Sequence, residues 1–422
     1  MRYLPAILIG RVARVLIRFI RPGGGSALPG LILSKIAPKL LAKTFASFRD
    51  GVIVVTGSAG KSTTTKMLVA IVRAHGIAVF TNPSTANISQ GFYSAVIEKS
   101  NLLGEIPGDV AILEMDEGHA AGLTEMFAPK LVSILNVLED QLDRFIDPAL
   151  VREKLALVAA RSIGPVVLNA DDQNLLLISE ELKSSDVSWF GISESVAKTG
   201  RAGLGVAATY LTAIDRPSAQ TEIISVNGRS AIARSGSTEI NFDLPNRGLH
   251  YATDAAAALE TARRYLGARF DASLAAKVLT ELPPVFARGE VAQVNGEDVE
   301  FILVQNPMSF QLNLDSLPPN TEQIMVAIGR DVHDPSWLWT VDLQRLTHAD
   351  VVSGFNYAEI ALRIAFEDIP IGMIEEDLEK ALAAFFAMPV PTKGHKTVIF
   401  SADAMRRTRR ILGFNDPESV DR

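Results

Sequence analysis

A run of glycine and hydroxylated residues near the start of the chain has the spacing of a phosphate-binding loop. Residues 56–65 read TGSAGKSTTT; they follow the β-branched run 52–55 and precede a helical pattern of apolar residues. A loop that turns back at a helix N-terminus presents backbone N–H groups to phosphate oxygens, and glycine allows the close approach. Lys61 would then reach the β- and γ-phosphates, while the hydroxyl of Ser62 or Thr63 would bind Mg²⁺.

This loop is the shortened form of the pattern, since Val55 stands where the strict form has glycine. The alternative is a glycine turn with a coincidental Lys-Ser pair. Because a strand and a helix flank the run, the nucleotide loop is the favoured interpretation.

Strand and helix patterns alternate after this loop. Further strands are indicated at residues 78–81, 110–114, 132–136 and 165–169, with helical stretches between them. Such alternation is typical of a parallel sheet with helices on both faces, in which ligands lie beyond the carboxyl ends of the strands. One acidic residue after a strand is usually a helix cap, but polar residues at so many strand ends favour a binding site. These residues are Thr81, Asn82, Glu114, Asp116, Glu117, Asn136, Asp140, Gln141, Asp143, Asn169, Asp171 and Asp172.

Composition excludes several kinds of site. The 422 residues include no cysteine, which excludes a thiolate nucleophile, a disulfide framework and any cysteine-ligated metal. Six scattered histidines argue against a histidine metal cage. The formal net charge is −7, so a nucleic-acid-binding surface, which needs a basic field, is not expected.

The first twenty residues are apolar but contain Arg11, Arg14 and Arg18, so they are too interrupted to span a bilayer or to form a signal peptide. As a helix, they place the arginines on one face. The other face carries Leu8, Val12, Val15, Leu16 and Phe19. Two interpretations stay open: the apolar side docks onto the body of the protein, or a basic amphipathic helix rests on an anionic membrane surface.

Four motifs resemble the central ATPase domain of the Mur ligase superfamily, the ATP-dependent amide ligases of peptidoglycan synthesis. The loop TGSAGKST resembles the short loop of that family, and LEMDE at 113–117 resembles the segment whose first glutamate binds Mg²⁺. NVLEDQLDR at 136–144 and VLNADD at 167–172 are similar to two further family motifs. Most members have histidine where Gln141 stands, and the DQLDR form is similar to the MurT subunits of lipid II isoglutaminyl synthase.

The position of the loop agrees with this branch of the superfamily. A typical Mur ligase has a uridine-nucleotide-binding domain ahead of the loop, whereas here the strand of the loop begins at Val52, which leaves too few residues for that domain. MurT subunits and folylpolyglutamate synthases share this truncated layout. The further glycine-rich and Thr-Ser-Pro-His segments of the folate enzyme are not found in this sequence.

The resemblance implies roles for individual residues. Lys61, Glu114 and Arg288 would act on the phosphates, and Ser62 and Glu114 would hold Mg²⁺. Lys154 stands near the position of a carbamylated lysine that binds a second Mg²⁺ in many Mur ligases; a solvated helix lysine is the favoured alternative, since MurT subunits usually lack the modified one. The residues expected to bind ATP are Gly57, Ser58, Ala59, Gly60, Lys61, Ser62, Thr63, Asn87, Asn136, Gln141, Asn169, Asp171 and Arg288.

The last third of the chain is similar to the C-terminal region of MurT. PVFARGE at 284–290 is similar to the family segment whose arginine, here Arg288, approaches the phosphates. Strands at 301–304, 325–328, 351–353 and 398–400 alternate with helices, which predicts a smaller, Rossmann-like α/β domain. DPSWLW at 334–339 resembles the MurT segment whose acidic residue completes the catalytic group of a partner glutaminase. Asp334 is the residue expected in that role, and Asp331 is the alternative.

We therefore expect an α/β protein with an N-terminal helical segment at 1–48, a Mur-ligase-like ATP-binding central domain with a parallel sheet at 49–282, and the smaller domain at 283–422. MurT proteins commonly insert a four-cysteine zinc ribbon in the middle domain. Residues 196–242 form a cysteine-free, β-rich insertion in its place, so no zinc is expected. NPMSFQ at 306–311 and HYATD at 250–254 depart from the family forms NPAGFN and HNxxN, which leaves the substrate open.

The resemblance implies a ligase subunit that activates the D-glutamate α-carboxylate of lipid II as an acyl phosphate. The resemblance further implies that ammonia comes from a GatD-type glutamine amidotransferase. This chain has no cysteine to hydrolyse glutamine, so the ammonia source must be external or a second chain. The alternatives are a stand-alone Mur-type ligase similar to folylpolyglutamate synthase, and a catalytically weak scaffold for a glutaminase. A cytoplasmic protein is expected, with peripheral contact at the inner face of the membrane through residues 1–20 left open.

Overall fold

A computed structural model describes residues 3–20, 28–83, 86–138, 147–182, 186–200, 205–209, 211–283 and 288–414, with backbone only for residues 18–20 and 288. Two sheets organise these residues, one formed before residue 244 and the other after residue 287, and helices cover both. The predicted α/β class is confirmed.

The first sheet has nine strands in the order β2-β3-β1-β4-β5-β6-β7-β8-β9. Every pairing from β2 across to β7 is parallel, and β7, β8 and β9 are antiparallel. The five strands predicted between residues 52 and 169 are confirmed to within two residues at each end. The strands are β1 (Val52–Thr56), β2 (Val79–Thr81), β3 (Val110–Glu114), β4 (Leu131–Ile134), β5 (Val166–Asn169), β6 (Val187–Ile192), β7 (Thr221–Asn227), β8 (Ser230–Ser235) and β9 (Thr238–Asp243).

Strand β1 lies in the middle of the parallel part and is buried along its whole length. Its side chains alternate between two hydrophobic cores, with Val52 and Val54 on one face and Ile53 and Val55 on the other. Eight helices belong to these two layers: α4 (Lys61–Ala74), α5 (Ser89–Lys99), α6 (Glu117–Thr124), α7 (Pro148–Ala160), α8 (Gln173–Glu181), α9 (Glu194–Ala197), α10 (Leu249–Leu266) and α11 (Ala272–Glu281). Strands β2 and β3 lie on one side of β1 in the sheet, and β4 and the later strands lie on the other. Open α/β sheets bind ligands at such a reversal of strand order.

The second sheet has six strands in the order β10-β11-β15-β12-β13-β14. The β10–β11 pair is antiparallel and the other pairings are parallel. The four strands predicted from the sequence are confirmed, and β10 and β14 are additional. The strands are β10 (Arg288–Val294), β11 (Glu297–Leu303), β12 (Ile324–Ala327), β13 (Ala349–Ser353), β14 (Ile371–Glu375) and β15 (Lys396–Phe400); the helices are α12 (Pro307–Ser316), α13 (Tyr357–Phe366), α14 (Leu378–Phe386) and α15 (Ala402–Ile411).

Three helices precede the first sheet: α1 (Leu4–Ile20), α2 (Leu28–Ile36) and α3 (Leu40–Phe45). The arginine face of α1, not its apolar face, lies against the protein. Arg11 donates hydrogen bonds to the carbonyl oxygens of Ile97 and Ser100 at the end of α5, and Arg14 pairs with Glu98 at 2.6 Å.

Of the two interpretations left open for α1, docking of its apolar side onto the body of the protein is therefore wrong for Leu8, Val12, Val15 and Leu16, which are exposed. The physical reason is that the last carbonyls of a helix have no partner within the helix, and the Arg11 guanidinium supplies one for α5. The side chain of Phe19 lies outside the described residues. In the part of the chain that the structure describes, no helix is long and apolar enough to cross a membrane.

The antiparallel strands β7, β8 and β9 extend the first sheet and fall largely within the stretch where a β-rich insertion is expected. Short hairpin connections join them, at Gly228 with φ +61° and Gly236 with φ +60°. The domain boundaries given above stay predictions.

Candidate nucleotide-binding site

The glycine loop connects β1 to α4 at the reversal point of the first sheet. Gly57 has φ +135° and Gly60 has φ +82°, which are backbone conformations that side chains disfavour. A Cβ on Gly57 would lie 3.0 Å from the backbone nitrogen of Asn136, and one on Gly60 would lie 2.1 Å from Oδ1 of Asp254. Gly60 is the N-cap of α4, so the loop ends where four backbone N–H groups of the helix point outward.

Asn136, just beyond β4, holds the loop in place. Its Oδ1 accepts a hydrogen bond from the Ala59 N–H at 2.9 Å, and its Nδ2 donates to the Ala59 carbonyl at 3.2 Å. The Ser58 N–H donates to the Asn136 carbonyl, and the Ser58 hydroxyl accepts from the Leu138 N–H at 3.1 Å. The side chain of Asn136 is thus bonded to the loop itself, and its expected contact with ATP stays a prediction.

Lys61 begins α4 and lies within the loop that it follows. Its ammonium donates to the carbonyl oxygens of Gly57 and Ser58 and forms a 2.9 Å ion pair with Oε2 of Glu117. Burial alone would lower the pKa of Lys61, but the carboxylates of Glu117, Glu114 and Asp116 outweigh it, so that pKa is raised. Lys61 therefore stays charged where phosphate would bind.

Glu117 is the residue of this site whose role sequence reasoning missed. It is the first residue of α6, its side chain is 3% exposed, and it provides the carboxylate that faces Lys61. The available signal was the acidic pair Asp116 and Glu117 at the end of LEMDE, which lies at the start of α6.

Glu114 ends β3 and lies beside the loop in a buried position. Asn82 fixes its backbone, since Oδ1 accepts from the Glu114 N–H and Nδ2 donates to the Glu114 carbonyl, both at 3.0 Å. The amide of Asn87 donates to Oε1 of Glu114 at 3.2 Å. The structure thus brings together Asn87 and Glu114, two residues that the sequence singled out separately.

The residues suit a bound magnesium ion. Three carboxylates, those of Glu114, Asp116 and Glu117, act on the ammonium of Lys61. These described residues together carry excess negative charge and offer oxygen donors of the kind that Mg²⁺ prefers. The hydroxyl of Ser62 lies on the first turn of α4 in a half-buried position. Among the described residues no group of three histidine or acidic side chains could hold a metal alone, so phosphate and water oxygens would have to complete the shell.

A second group of polar residues lies at the end of β5. Asn169 donates to the Leu135 carbonyl at 3.1 Å and accepts from the Asp171 N–H at 2.9 Å. Asp171 pairs with Arg216 at 2.7 Å and accepts from the Ile192 N–H. Burial raises the pKa of Asp171, although Arg216 opposes the shift. Arg216 was not recognised from the sequence, because it comes from the loop ahead of β7, far along the chain.

Asp172 is buried next to these residues and caps α8 by accepting from the Asn174 N–H at 2.9 Å. It also accepts from the Val137 N–H at 2.6 Å, which ties the end of β5 to the segment after β4. Burial raises the pKa of Asp172 to about 7. Asp172 therefore acts as a structural link between the two strand ends.

For several of the expected site residues, no contact with the loop is described. Gln141, Asp140 and Asp143 lie outside the described residues. For Arg288 only the backbone is described, as the first residue of β10. Lys154 lies on α7.

The two candidate aspartates of the second domain differ in their surroundings. Asp331 accepts hydrogen bonds from the Ser401 hydroxyl at 2.6 Å and from the backbone N–H groups of Ala402 and Asp403, which begin α15. Asp334 is exposed and begins the 3-10 turn Pro335–Thr340, where bonds from Ser336 lower its pKa. The carboxylate of Asp331 is thus hydrogen-bonded within the second domain, whereas the carboxylate of Asp334 faces solvent.

Comparisons with known proteins agree with this geometry. Residues 55–262 match the family model of the Mur ligase middle domain, and residues 303–402 match that of the MurT ligase C-terminal domain. Among solved structures, the chain is similar to MurF ligase from Thermotoga maritima in complex with ADP, with a TM-score of 0.66 and 20% identity over 90% of this chain and 83% of that one. It is also similar to Escherichia coli FolC in complex with DHPP and ADP, with a TM-score of 0.61 and 15% identity over 89% and 92%.

The chain belongs to the Mur ligase superfamily, the ATP-dependent amide ligases, since the two family models together match the larger part of its residues. Within it, the chain is similar to the MurT subunit of lipid II isoglutaminyl synthase (glutamine-hydrolyzing) from Streptococcus pneumoniae, at 26% identity over 96% of each chain. It is 30% identical to the MurT subunit from Staphylococcus aureus (strain COL) over 41% of this chain and 38% of that protein.

Proposed function

We propose that this chain is the ligase subunit of a lipid II isoglutaminyl synthase. In this role it uses ATP to convert the D-glutamate α-carboxylate of lipid II to an amide, with ammonia from a GatD-type glutaminase as its partner. The similarity to a MurT subunit along 96% of both chains is the observation that carries the proposal. The residues 49–282 would form the ATP-binding domain and 283–422 the domain that meets the partner.

The proposed reaction has two steps. A carboxylate oxygen attacks the γ-phosphorus of ATP, the bond to the bridging oxygen breaks, and ADP leaves, which gives an acyl phosphate. The nitrogen of ammonia then attacks the acyl carbon, phosphate leaves with the carboxylate oxygen, and the nitrogen loses a proton. Phosphoryl transfer depends mainly on positioning and on neutralising charge.

The residues at the loop can perform these tasks. The N–H groups at the start of α4 bind phosphate oxygens, and the Lys61 ammonium shifts its contact from Glu117 toward the β- and γ-phosphates. Ser62 and Glu114 would hold Mg²⁺, which neutralises phosphate charge when bound. Arg288 would approach the phosphates from β10.

The nitrogen must come from outside this chain, either as free ammonia or from a partner that hydrolyses glutamine. No residue of the sequence is cysteine, so this chain has no thiolate to attack glutamine. Asp334 is exposed and ionised at the surface of the second domain, where it could orient a catalytic histidine of a partner. Asp331 is already bonded to the start of α15, which supports Asp334 for this role.

The test is amidation by the purified complex of this chain with a GatD-type glutaminase, given lipid II, ATP and glutamine. We expect a product in which a carboxyl OH is replaced by NH₂, detected by mass spectrometry. Asp334→Asn should reduce glutamine-dependent amidation by at least about a hundredfold and leave amidation by ammonium salts in place. Asp215→Asn, at another exposed aspartate, is the matched control and should behave as the parent.

Two results would contradict the proposal, and each would indicate a different function. ATP-dependent attachment of an amino acid, in place of ammonia, would indicate a stand-alone ligase, an outcome motivated by the similarity in fold to FolC. No detectable ATP turnover, together with glutaminase binding that survives Lys61→Ala, would indicate a scaffold.

A further inference from the structure

Among the described residues, no partner covers an apolar surface on the outward side of α1 and α2. On α1 its residues recur with the spacing of one helix face, and they continue onto the adjacent α2. An amphipathic helix normally buries such a face. We call this surface the outer apolar face; its residues, each 37 to 68% exposed, are Leu8, Ile9, Val12, Val15, Leu16, Leu28, Leu31 and Ile36.

The opposite side of α1 fixes this orientation. Ile7 is fully buried, and a Cβ on Gly10 would lie 2.9 Å from Cδ1 of Ile97, so α1 packs closely on α5. Arg11 and Arg14 are bonded to the end of α5 on the same side. Rotating the helix to bury its apolar residues would break these bonds and this contact.

Helix α2 is fixed in the same way. A Cβ on Gly30 would lie 1.8 Å from the carbonyl oxygen of Gln90, and the Gly30 N–H donates to the Ser94 hydroxyl at 3.0 Å. Leu33 is fully buried on this side. The exposed leucines and isoleucine of α2 therefore point away from the protein as a consequence of its packing.

The charge around the outer apolar face selects the kind of partner. Residues 1–49 contain nine Lys and Arg residues and no Asp or Glu, although the whole chain has a net charge of −7. Lys35 and Lys39 are exposed at the end of α2, next to Ile36. Exposed apolar side chains with exposed lysines beside them match the interface of an anionic bilayer, where acyl chains lie below phosphate groups. A second copy of this segment would bring like charges together.

We propose that the outer apolar face docks on an anionic lipid bilayer, with its apolar side chains at the boundary between headgroups and acyl chains and the lysines at the phosphates. This differs from a helix that rests on the membrane through its arginines, because Arg11 and Arg14 face the protein. The inference does not require the proposed ligase reaction, since docking needs neither ATP nor substrate.

The test is co-sedimentation of the whole chain with vesicles of phosphatidylcholine mixed with phosphatidylglycerol, and with vesicles of phosphatidylcholine alone. We expect binding to the mixed vesicles, weaker binding to the neutral ones, and a decrease with added salt. The double variant Val15→Ser, Leu16→Ser should weaken binding by about tenfold or more. Ile163→Ser with Val390→Ser removes two equally exposed apolar side chains elsewhere and should have no effect.

Three results would overturn the proposal: no binding of the parent chain to the mixed vesicles, equal binding by the Val15→Ser, Leu16→Ser variant, or equal loss in the Ile163→Ser, Val390→Ser control. Sedimentation velocity could give a fourth such result. If the parent chain is a dimer that does not bind vesicles, and the Val15→Ser, Leu16→Ser variant is a monomer, the outer apolar face binds a second copy of the chain. Because amidation is assayed separately in detergent, failure of docking and failure of the ligase reaction are distinguishable.

Discussion

Lys61, at the end of the glycine loop, and Glu117, at the start of α6, form an ion pair of 2.9 Å, with the two side chains 12% and 3% exposed. A carboxylate of α6 thus already holds the lysine that is proposed to bind the γ-phosphate. Phosphate oxygens must compete with Glu117 for the same ammonium, and Glu117 repels them through its own charge.

Glu117→Gln should therefore separate nucleotide binding from turnover. Removing the competing anion strengthens ADP binding by about three- to tenfold, while loss of the contact that orients Lys61 lowers the rate of ATP turnover. Calorimetry with ADP and an assay of phosphate release measure the two quantities. Glu125→Gln, at an exposed glutamate paired with Arg161, should change neither. Weaker ADP binding by Glu117→Gln would contradict this account.

The close contact of Gly60 with Asp254 predicts a large effect of a single methyl group. Gly60→Ala places a Cβ 2.1 Å from Oδ1 of Asp254 at φ +82°, so the buried Asp254 side chain or the loop must shift, and we expect ADP binding to be lost. Gly76→Ala is the matched control, with φ +78° and open space around its Cβ, and should cost only the backbone strain of about 1 to 2 kcal/mol.

Thermal unfolding and ADP titration compare the two glycine variants. Gly60→Ala should be less stable than Gly76→Ala, by at least about 1 kcal/mol, because it has both the strain and the clash. Equal stability of the two, with ADP binding retained, would show that the loop does not depend on this contact.

The two hydrogen bonds between Asn136 and Ala59 predict that Asn136 shapes the loop. Asn136→Ala should reduce stability by about 1 to 3 kcal/mol and weaken ADP binding by about tenfold, because the N–H and carbonyl of Ala59 lose their partners. Asn101 holds a different loop through the N–H groups of Leu103 and Glu105, so Asn101→Ala should reduce stability and leave ADP binding unchanged. If both variants lose ADP binding, the loss results from lower overall stability and not from the contact between Asn136 and the loop.

The buried carboxyl of Asp172 predicts a particular dependence of stability on pH. Its folded pKa of about 7 lies above the unfolded value of about 3.9, so between these values the native protein binds more protons than the unfolded chain. The Asp172 carboxyl therefore stabilises the folded protein most at pH values below the unfolded pKa. As the pH rises to about 7, the free energy of unfolding falls by at least about 1 kcal/mol.

Urea unfolding at several pH values between these limits measures that dependence. Asp172→Asn should remove this part of the slope, whatever its effect on stability at one pH. Asp215→Asn, at an exposed aspartate, should leave the slope as it is in the parent. If Asp172→Asn has the slope of the parent, the pKa of Asp172 is not raised.

The sequence was sufficient to predict the loop and the strands around it, because their signals are local. The β-branched run before Gly57 and the helical pattern after Lys61 each identify an element without reference to distant residues. The carboxyl ends of neighbouring parallel strands meet at one edge, which is why Glu114 and Asn136 could be assigned to one site before their contacts were known.

The remaining features depend on packing between distant segments. An amphipathic pattern does not show which face of α1 contacts the protein. Hydrogen bonds from Arg11 to the free carbonyls at the end of α5 fix that face. The hydrogen bonds that Asp331 accepts at the start of α15 likewise could not be predicted, because their donors lie some seventy residues later in the chain. Arg216 reaches Asp171 from a segment whose sequence has no recognisable motif.

The most direct measurement of the central claim follows an oxygen atom. Lipid II labelled with oxygen-18 in the D-glutamate α-carboxylate is incubated with this chain, ATP, Mg²⁺ and an ammonium salt, which replaces the partner. The account predicts an amidated product and inorganic phosphate that contains one labelled oxygen from the carboxylate, both abolished in Lys61→Ala. Unlabelled phosphate, or lipid II recovered unchanged while ATP is consumed, would contradict it.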